Sequence, residues 1–355
     1  MQIDPLNNPT TLQVSAGLAH TCRVNVDKTL QCWGSDFKGQ LGIANPDPIT
    51  NPRRLVPTDV QGTTWVEISA GHEYHSCGIK EDYSLWCWGY NLFGQVGIGS
   101  MSQWNFPQPV QAGTHWRHVS AGGDRTCGIR TDRTLWCWGV GYGNAPAQVG
   151  SDSWDTLDSG ATHTCAVKST LSSPPQTLWC WGPINTRGWL GTGDTDPRQD
   201  PAQISGTDTW LDISAAPGHT CGVKTGGTLW CWGVNDAGQL GDGTTNQHES
   251  PTQVGAETNW TQVSANGNHT CALKSAGTLW CWGSGTNGEL GNAAVASVVN
   301  PTQVGSDTNW ASASSGGSHS CAVKTDTTTY CWGGNTDGQI GKGNQNQQIG
   351  PFLVN

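Results

Sequence analysis

Fourteen cysteines recur in pairs along this chain, and six histidines each stand two residues ahead of a pair. These side chains can cross-link, ligate a metal or carry a proton, so their spacing is informative. Cys22 and Cys32, Cys77 and Cys87, Cys127 and Cys137, Cys221 and Cys231, Cys271 and Cys281, and Cys321 and Cys331 are each ten residues apart. Cys165 and Cys180 are fifteen apart because "LSSPPQ" lengthens the segment between them. A hairpin centred five residues after the first cysteine sets the two opposite one another on antiparallel strands, at the spacing a disulfide needs. An even number with one pair per repeat fits a disulfide framework. Zinc sites draw cysteines from knuckles two to four residues apart and need four ligands to converge, so no metal is expected.

The histidines are His20, His75, His163, His219, His269 and His319, with Arg125 in the third copy. A residue repeated once per unit diverges from its siblings around a ring, so a structural bond to nearby backbone is expected rather than catalysis. No copy carries a carboxylate pair or a Ser, His and Asp set of its own. No cofactor is implied, and no enzyme is expected. Oxygen-rich segments such as Asn235 to Thr244 lack the spacing of a calcium loop and read as turns. Lys80, Arg130, Lys168, Lys224, Lys274 and Lys324, three residues after the first cysteines, read as a solvated rim.

The elements that must position these residues emerge from the repeat. Seven copies of a unit typified by Trp260 to Gly291 and then "PTQVG" occur, with first cysteines at steps of 55, 50, 38, 56, 50 and 50 residues. "VSAG", "HTCALK", "TLWCWG" and "PTQV" read as four short strands divided by Gly, Asn, Asp and Pro. In "LWCW", alternation puts Trp280 and Trp282 on one face and Leu279 and Cys281 on the other, so each sheet is apolar on both faces. Neighbouring sheets in a closed ring would cover both faces and leave few free edges. The predicted fold is therefore all-β, a seven-bladed β-propeller of four-stranded antiparallel blades with one hairpin disulfide per blade. Residues 1–355 form a single domain on this reading. The strand around Phe352 is expected near the strand around Val14, so that the ends meet. The 20 tryptophans are assigned mainly to packing between blades.

"GQLGIANP", "GQVGIGS", "GQLGDGT" and "GQIGKGN", each after a "CWG" strand and before a proline, resemble the regulator of chromosome condensation repeat. That resemblance covers nearly the whole chain and implies the seven-bladed propeller. The family includes nucleotide exchange factors for the Ran GTPase, a plant ultraviolet-B photoreceptor and secreted inhibitors of β-lactamase; such functions do not travel with the fold. Light sensing would need tryptophan between "AG" and "HT", where this chain has Leu18 and Ala19, Glu73 and Tyr74, or Asn268. An exchange factor on chromatin fits poorly with the absent basic tail. The paired cysteines look more like an exported bacterial branch.

Composition narrows the partner. The net charge is -10 with only 17 Lys and Arg, too few for a surface that neutralises a phosphate backbone, so no nucleic acid is expected. No run of 18 apolar residues occurs, and no membrane insertion is expected. Disulfides persist outside a reducing cytosol. Met1 to Thr10 lacks the basic and apolar regions of a secretory signal, so we expect a secreted or cell-surface protein whose signal peptide has been removed.

Departures from the repeat point to a surface. Copies one to four carry Phe37 and Phe93 in loops where later copies have Ala237, Asn287 and Asp337. Trp189 replaces the glutamine of "GQLG", Tyr142 sits in a shortened third loop, Trp104 and Phe106 add bulk to the second, and Arg53 with Arg54 extends the first. Equivalent loops should emerge on one side of a ring, and aromatic and arginine side chains are enriched at interaction hot spots. A protein partner is expected there. A glycan partner, a structural role in an extracellular assembly and, last, exchange-factor-like activity are the alternatives. An enzyme would be favoured by carboxylates from different blades converging on the axis.

Overall fold

The computed structural model of the chain describes residues 12–44, 51–169, 176–204, 206 and 208–355. The Met1 to Thr10 segment and nearly all of the "LSSPPQ" insertion lie outside them. Seven four-stranded sheets follow one another, each in simple antiparallel order. In the first blade β1 is Gln13–Ala16, β2 is His20–Val24, β3 is Leu30–Ser35 and β4 is Arg53–Val60. The last blade ends in Gln348–Val354, which pairs with its own neighbour Thr329–Gly333. Every blade is thus built from consecutive residues, and none borrows a strand from the other end of the chain.

The hairpin register explains the cysteines. Cys22 stands opposite Cys32, Cys271 opposite Cys281 and Cys321 opposite Cys331, and the longer fourth hairpin still sets Cys165 against Cys180. All seven pairs are disulfides with Cα atoms 4.1 Å apart, and no described cysteine is free.

The apolar cores lie between blades. Cys22, Leu30 and Cys32 of the first blade pack against Trp65, Ile68 and Trp88 of the second. The same arrangement joins last to first, where Cys321, Cys331 and Val354 meet Val14 and Trp33. The second tryptophan of each "WCW" is buried and reaches the preceding blade. Trp282 Nε1 donates to Gln239 O at 2.9 Å, and Trp33 Nε1 donates to Gln339 O at 2.9 Å. Gly241, at φ 74°, lies so close that a Cβ there would sit 2.5 Å from the Trp282 ring nitrogen, so the "GQLG" turn needs glycine.

The histidines also bind across blades, to a hydroxyl rather than to backbone. His20 Nε2 is 2.9 Å from Ser76 Oγ, and His319 Nε2 is 2.7 Å from Thr21 Oγ1. The hydroxyl donates onward to a backbone carbonyl: Ser76 to Gln40 O at 2.9 Å, Thr21 to Gln339 O at 2.8 Å. Its proton committed, it must accept from the imidazole, which fixes the Nε2–H tautomer. Burial pushes His20, His75, His163, His219 and His319 down to about 3 and His269 to about 4.

The basic residues are not merely a solvated rim. Lys224 Nζ sits 3.5 Å from the Trp230 ring centroid and 2.8 Å from Asp208, and Lys274 lies 3.7 Å from the Trp280 ring centroid. Each such cation covers a half-buried aromatic ring, an indole in five blades and the Tyr330 phenol in the last, a cation–π contact that sequence spacing alone does not display.

Candidate functional site

Two regions depart from the repeat, one on a loop face and one on the axis. The loop face follows from topology. In each blade the first hairpin and the connection between third and fourth strands emerge on the same side of the ring. An asparagine pins most of these connections: Asn91 Oδ1 accepts from Val96 N at 2.9 Å while its amide donates to Ser100 O and Ser102 O.

On this side Phe37, Phe93, Trp104 and Phe106 are exposed, as are Leu92 and Met101 beside them. Trp104 and Phe106 lie on the outer strand Trp104–Pro109 rather than in a loop. Gly39 presses on that strand so closely that a Cβ would meet Asn105 at 2.2 Å. The loop that carries Phe37 thus abuts the strand that carries Trp104 and Phe106. Arg53 stacks on Phe37 at 5.9 Å and faces Asp337 at 3.6 Å, and Arg54 Nη1 donates to Arg53 O at 3.0 Å. Tyr90 meets Phe93 edge-on at 6.3 Å, and Lys38 Nζ lies over the Tyr90 ring, 5.5 Å from its centroid.

Tyr142 and Trp189 do not join this patch. Trp189 is only 7% exposed; its ring donates to Ile184 O at 2.8 Å and its carbonyl accepts from Trp232 and Thr220. It takes the glutamine's place in blade packing. Tyr142 Oη accepts from Trp181 Nε1 at 2.8 Å, replacing the carbonyl that a "GQLG" turn supplies elsewhere. Both aromatics repair the ring where the repeat is irregular.

The axial region was not anticipated from the sequence. The seven first strands surround a cavity of about 150 Å³. Five of the first strands point two side chains into it, and the fourth and seventh one tier residue each. One tier holds Gln13, Glu67, His118, Asp212 and Gln262; the other is serine at Ser15, Ser69, Ser120, Ser214, Ser264 and Ser314, broken only by Asp158. Most of these side chains accept a hydrogen bond from backbone N–H of the next blade. Gln13 accepts from Ile68 N at 2.9 Å, Ser69 from Ala121 N at 2.9 Å, and Ser314 from Ala16 N at 2.9 Å across the join of last and first blades. The first strands have no ladder between blades, and these side chains supply one.

The ionisable members use the same contacts. Glu67 Oε1 accepts from Val119 N at 3.0 Å, Asp212 from Val263 N at 2.9 Å and Asp158 from Ala215 N at 2.8 Å and Ser120 Oγ at 2.8 Å. His118 is the exception. Its Nε2 lies 2.8 Å from Leu157 O and its Nδ1 2.7 Å from Glu67 Oε1. Two acceptors require two N–H groups, so this ring is held as imidazolium. Burial opposes that charge, but Glu67 and the Leu157 carbonyl outweigh it and hold the pKa above the usual 6.5. Burial pushes Asp212 up to about 6. Carboxylates from three blades thus do converge on the axis. The available signal was a departure from Gln or Ser at matched inner-strand positions.

At the mouth on the loop side the backbone closes in. Gly317 N donates to Gly17 O at 3.0 Å, Leu18 N to Gly71 O at 3.2 Å and His72 N to Gly122 O at 3.0 Å. His72 of the second blade and Asn266 of the sixth then bridge the opening at 2.9 Å.

Comparison with known proteins accords with this architecture. Models of the Regulator of chromosome condensation (RCC1) repeat match residues 83–129, 226–273 and 276–323 in one form, and 65–95, 116–143, 211–239, 260–289 and 310–339 in another. The Ultraviolet-B receptor UVR8 of Arabidopsis thaliana is 27% identical over 258 residues, a match covering 66% of this chain and 55% of the receptor. The chain thus spans about half the length of that relative. Prp20p from Saccharomyces cerevisiae, studied for its binding to Gsp1p and histones, superposes with a TM-score of 0.83 at 18% identity, over 100% of this chain and 90% of that one. The ectodomain of the receptor kinase CR4 from Physcomitrella patens superposes at 0.59 with 19% identity, over 91% of this chain and 74% of that one. At such identities these two structures share the fold alone.

Proposed function

We propose that this chain, which belongs to the regulator of chromosome condensation repeat family, is an exported propeller that acts by binding a protein rather than by turnover. The observation that carries this reading is the unequal distribution of exposed aromatic surface on the loop side. Phe37, Leu92, Phe93, Met101, Trp104 and Phe106 are exposed on the loop side of the first two blades, where later blades carry Asp236, Ala237, Asn287 and Asp337. Exposed aromatics gathered on one rim are the composition of interface hot spots. Lys38 over Tyr90 adds positive charge to that rim in a chain of net charge -10, while Arg53 over Phe37 is matched by Asp337, an arrangement that suits a partner offering acidic and apolar side chains together. Binding of Gsp1p and histones by the related Prp20p is in keeping with a protein partner.

Seven disulfides support an extracytoplasmic location, as does the use of this fold in a receptor ectodomain. Residues 1–355 are taken as one domain. The carboxylates that converge on the axis each accept a backbone hydrogen bond from the next blade, which gives them a part in holding the ring.

The test is retention of extracellular proteins by immobilised wild type and by a Phe37→Ala, Phe93→Ala, Trp104→Ala, Phe106→Ala variant, with a glycan array run in parallel. A protein held by the wild type and lost by the folded variant supports the reading. Equal retention by both overturns it, and glycan binding lost in the variant would transfer the same face to a carbohydrate.

A further inference from the structure

Six of seven blades place serine at one axial tier, so Asp158 is not needed to build the ring. Gln13 and Gln262 bond to the next blade as Glu67 does, so the charge at Glu67 is not needed either. Yet Glu67, Asp158 and Asp212 face one cavity, and among the described residues no Lys or Arg lines it, the His118 imidazolium being its one cation. Buried carboxylates are ordinarily matched by a cation. His118 meets Glu67 Oε1 only; Glu67 Oε2 is buried in a side chain 4% exposed and has no partner. Among the described residues, no three acidic, histidine or cysteine side chains converge as a metal site. Dispersed carboxylates instead suit a cation that spreads several N–H donors.

We propose that the axial cavity binds an organic cation of side-chain size, a primary ammonium or guanidinium group, anchored on Glu67 Oε2 within the negative field of Asp158 and Asp212. A cavity of about 150 Å³ has room for such a head group and a short stem. The closed loop-side mouth, crossed by His72 and Asn266, leaves the opposite mouth as the route of entry. This site stands apart from the aromatic rim, and either could fail without the other.

The experiment measures binding of propylguanidine, butylamine and the uncharged propylurea to the full chain by calorimetry, and repeats it on Glu67→Gln and Asp158→Ser. Both substitutions restore residues that other blades use at the same tier, so the fold is expected to persist, checked by near-ultraviolet circular dichroism. Saturable binding of a cation, none of propylurea, and a loss of about tenfold in either variant are expected. Equal binding of propylurea, unchanged affinity in folded variants, or no saturation at high millimolar cation overturns the proposal. Should a variant misfold, the discrimination between propylguanidine and propylurea by the wild type still decides. An arginine held within a short glycine peptide separates the sources: tighter binding than propylguanidine points to a partner's side chain, weaker binding to a free amine.

Discussion

His72 and Asn266 come from blades on different sides of the ring, yet their side chains meet at 2.9 Å across the axis. Matched positions carry glycine or alanine at Gly17, Gly71, Gly122, Gly160, Ala216 and Gly316 where the sixth blade has Asn266. Replacing Asn266 with glycine removes the bridge and opens the loop-side mouth. Exchange of amide hydrogens on the first strands, followed by mass spectrometry, should quicken by about tenfold or less, consistent with loss of one buried hydrogen bond of about 1 kcal/mol.

Acid should unfold the ring through its buried histidines. Their folded pKa values, about 3 for five and about 4 for His269, lie below the ordinary 6.5. The unfolded chain therefore binds more protons between those limits, and stability falls as pH drops below 6.5. Each histidine fully titrated against would cost on the order of 4 kcal/mol, so cooperative unfolding should occur well above pH 3. Urea midpoints across pH 4 to 7 check this.

His118 should behave in the opposite sense. Its raised folded pKa gives a contribution present below 6.5 and lost as pH climbs through the folded value. In a nuclear magnetic resonance titration the His118 imidazole should protonate above 6.5 while the six that bond to hydroxyls stay neutral, and Glu67→Gln should bring that value down.

Reduction should cost stability without rearranging the register. The unreduced denatured chain should gain fourteen hydrogens on reduction, two for each of the seven bridges. Replacing Cys271 and Cys281 together with alanine should lower stability by about 2 to 3 kcal/mol, or less if the hairpin is already ordered when unfolded. Chemical denaturation of the purified variant measures it.

Aromatic residues singled out together should separate under mutation. Trp189→Ala empties a buried position and should cost about 3 to 5 kcal/mol, whereas Phe37→Ala, at 54% exposure, should leave the thermal midpoint nearly unchanged. Tyr142→Phe strands the Trp181 ring nitrogen and should cost about 1 to 3 kcal/mol.

Much of this molecule was legible because each copy repeats the same instructions. Ten-residue spacing announced the opposed cysteines, and alternation in "LWCW" announced two apolar faces. His20 and its kin were correctly given a structural place, but their partners were the hydroxyls next to the following copy's histidine, a contact between blades that reading within one copy misses. Trp189 was misleading because its position is interior in the other copies too, as at Gln40, Gln95, Gln239 and Gln339, and its carbonyl keeps the usual role. Glu67, His118, Asp158 and Asp212 escaped notice for another reason. Each is a single substitution in a separate blade, and only closure of the ring brings them to one cavity.

Because the last blade ends on its own outer strand and the first begins on its own inner one, the circle has a join with no shared strand. There it is held by interdigitated side chains and by bonds such as Ala16 N to Ser314 Oγ and Arg23 to Val354 O. A pull on the two termini would load that join first, parting the circle while all seven sheets stayed whole. At the level of the gene, a blade could be gained or lost by duplication or deletion of one continuous stretch, with no second stretch needing to change in step.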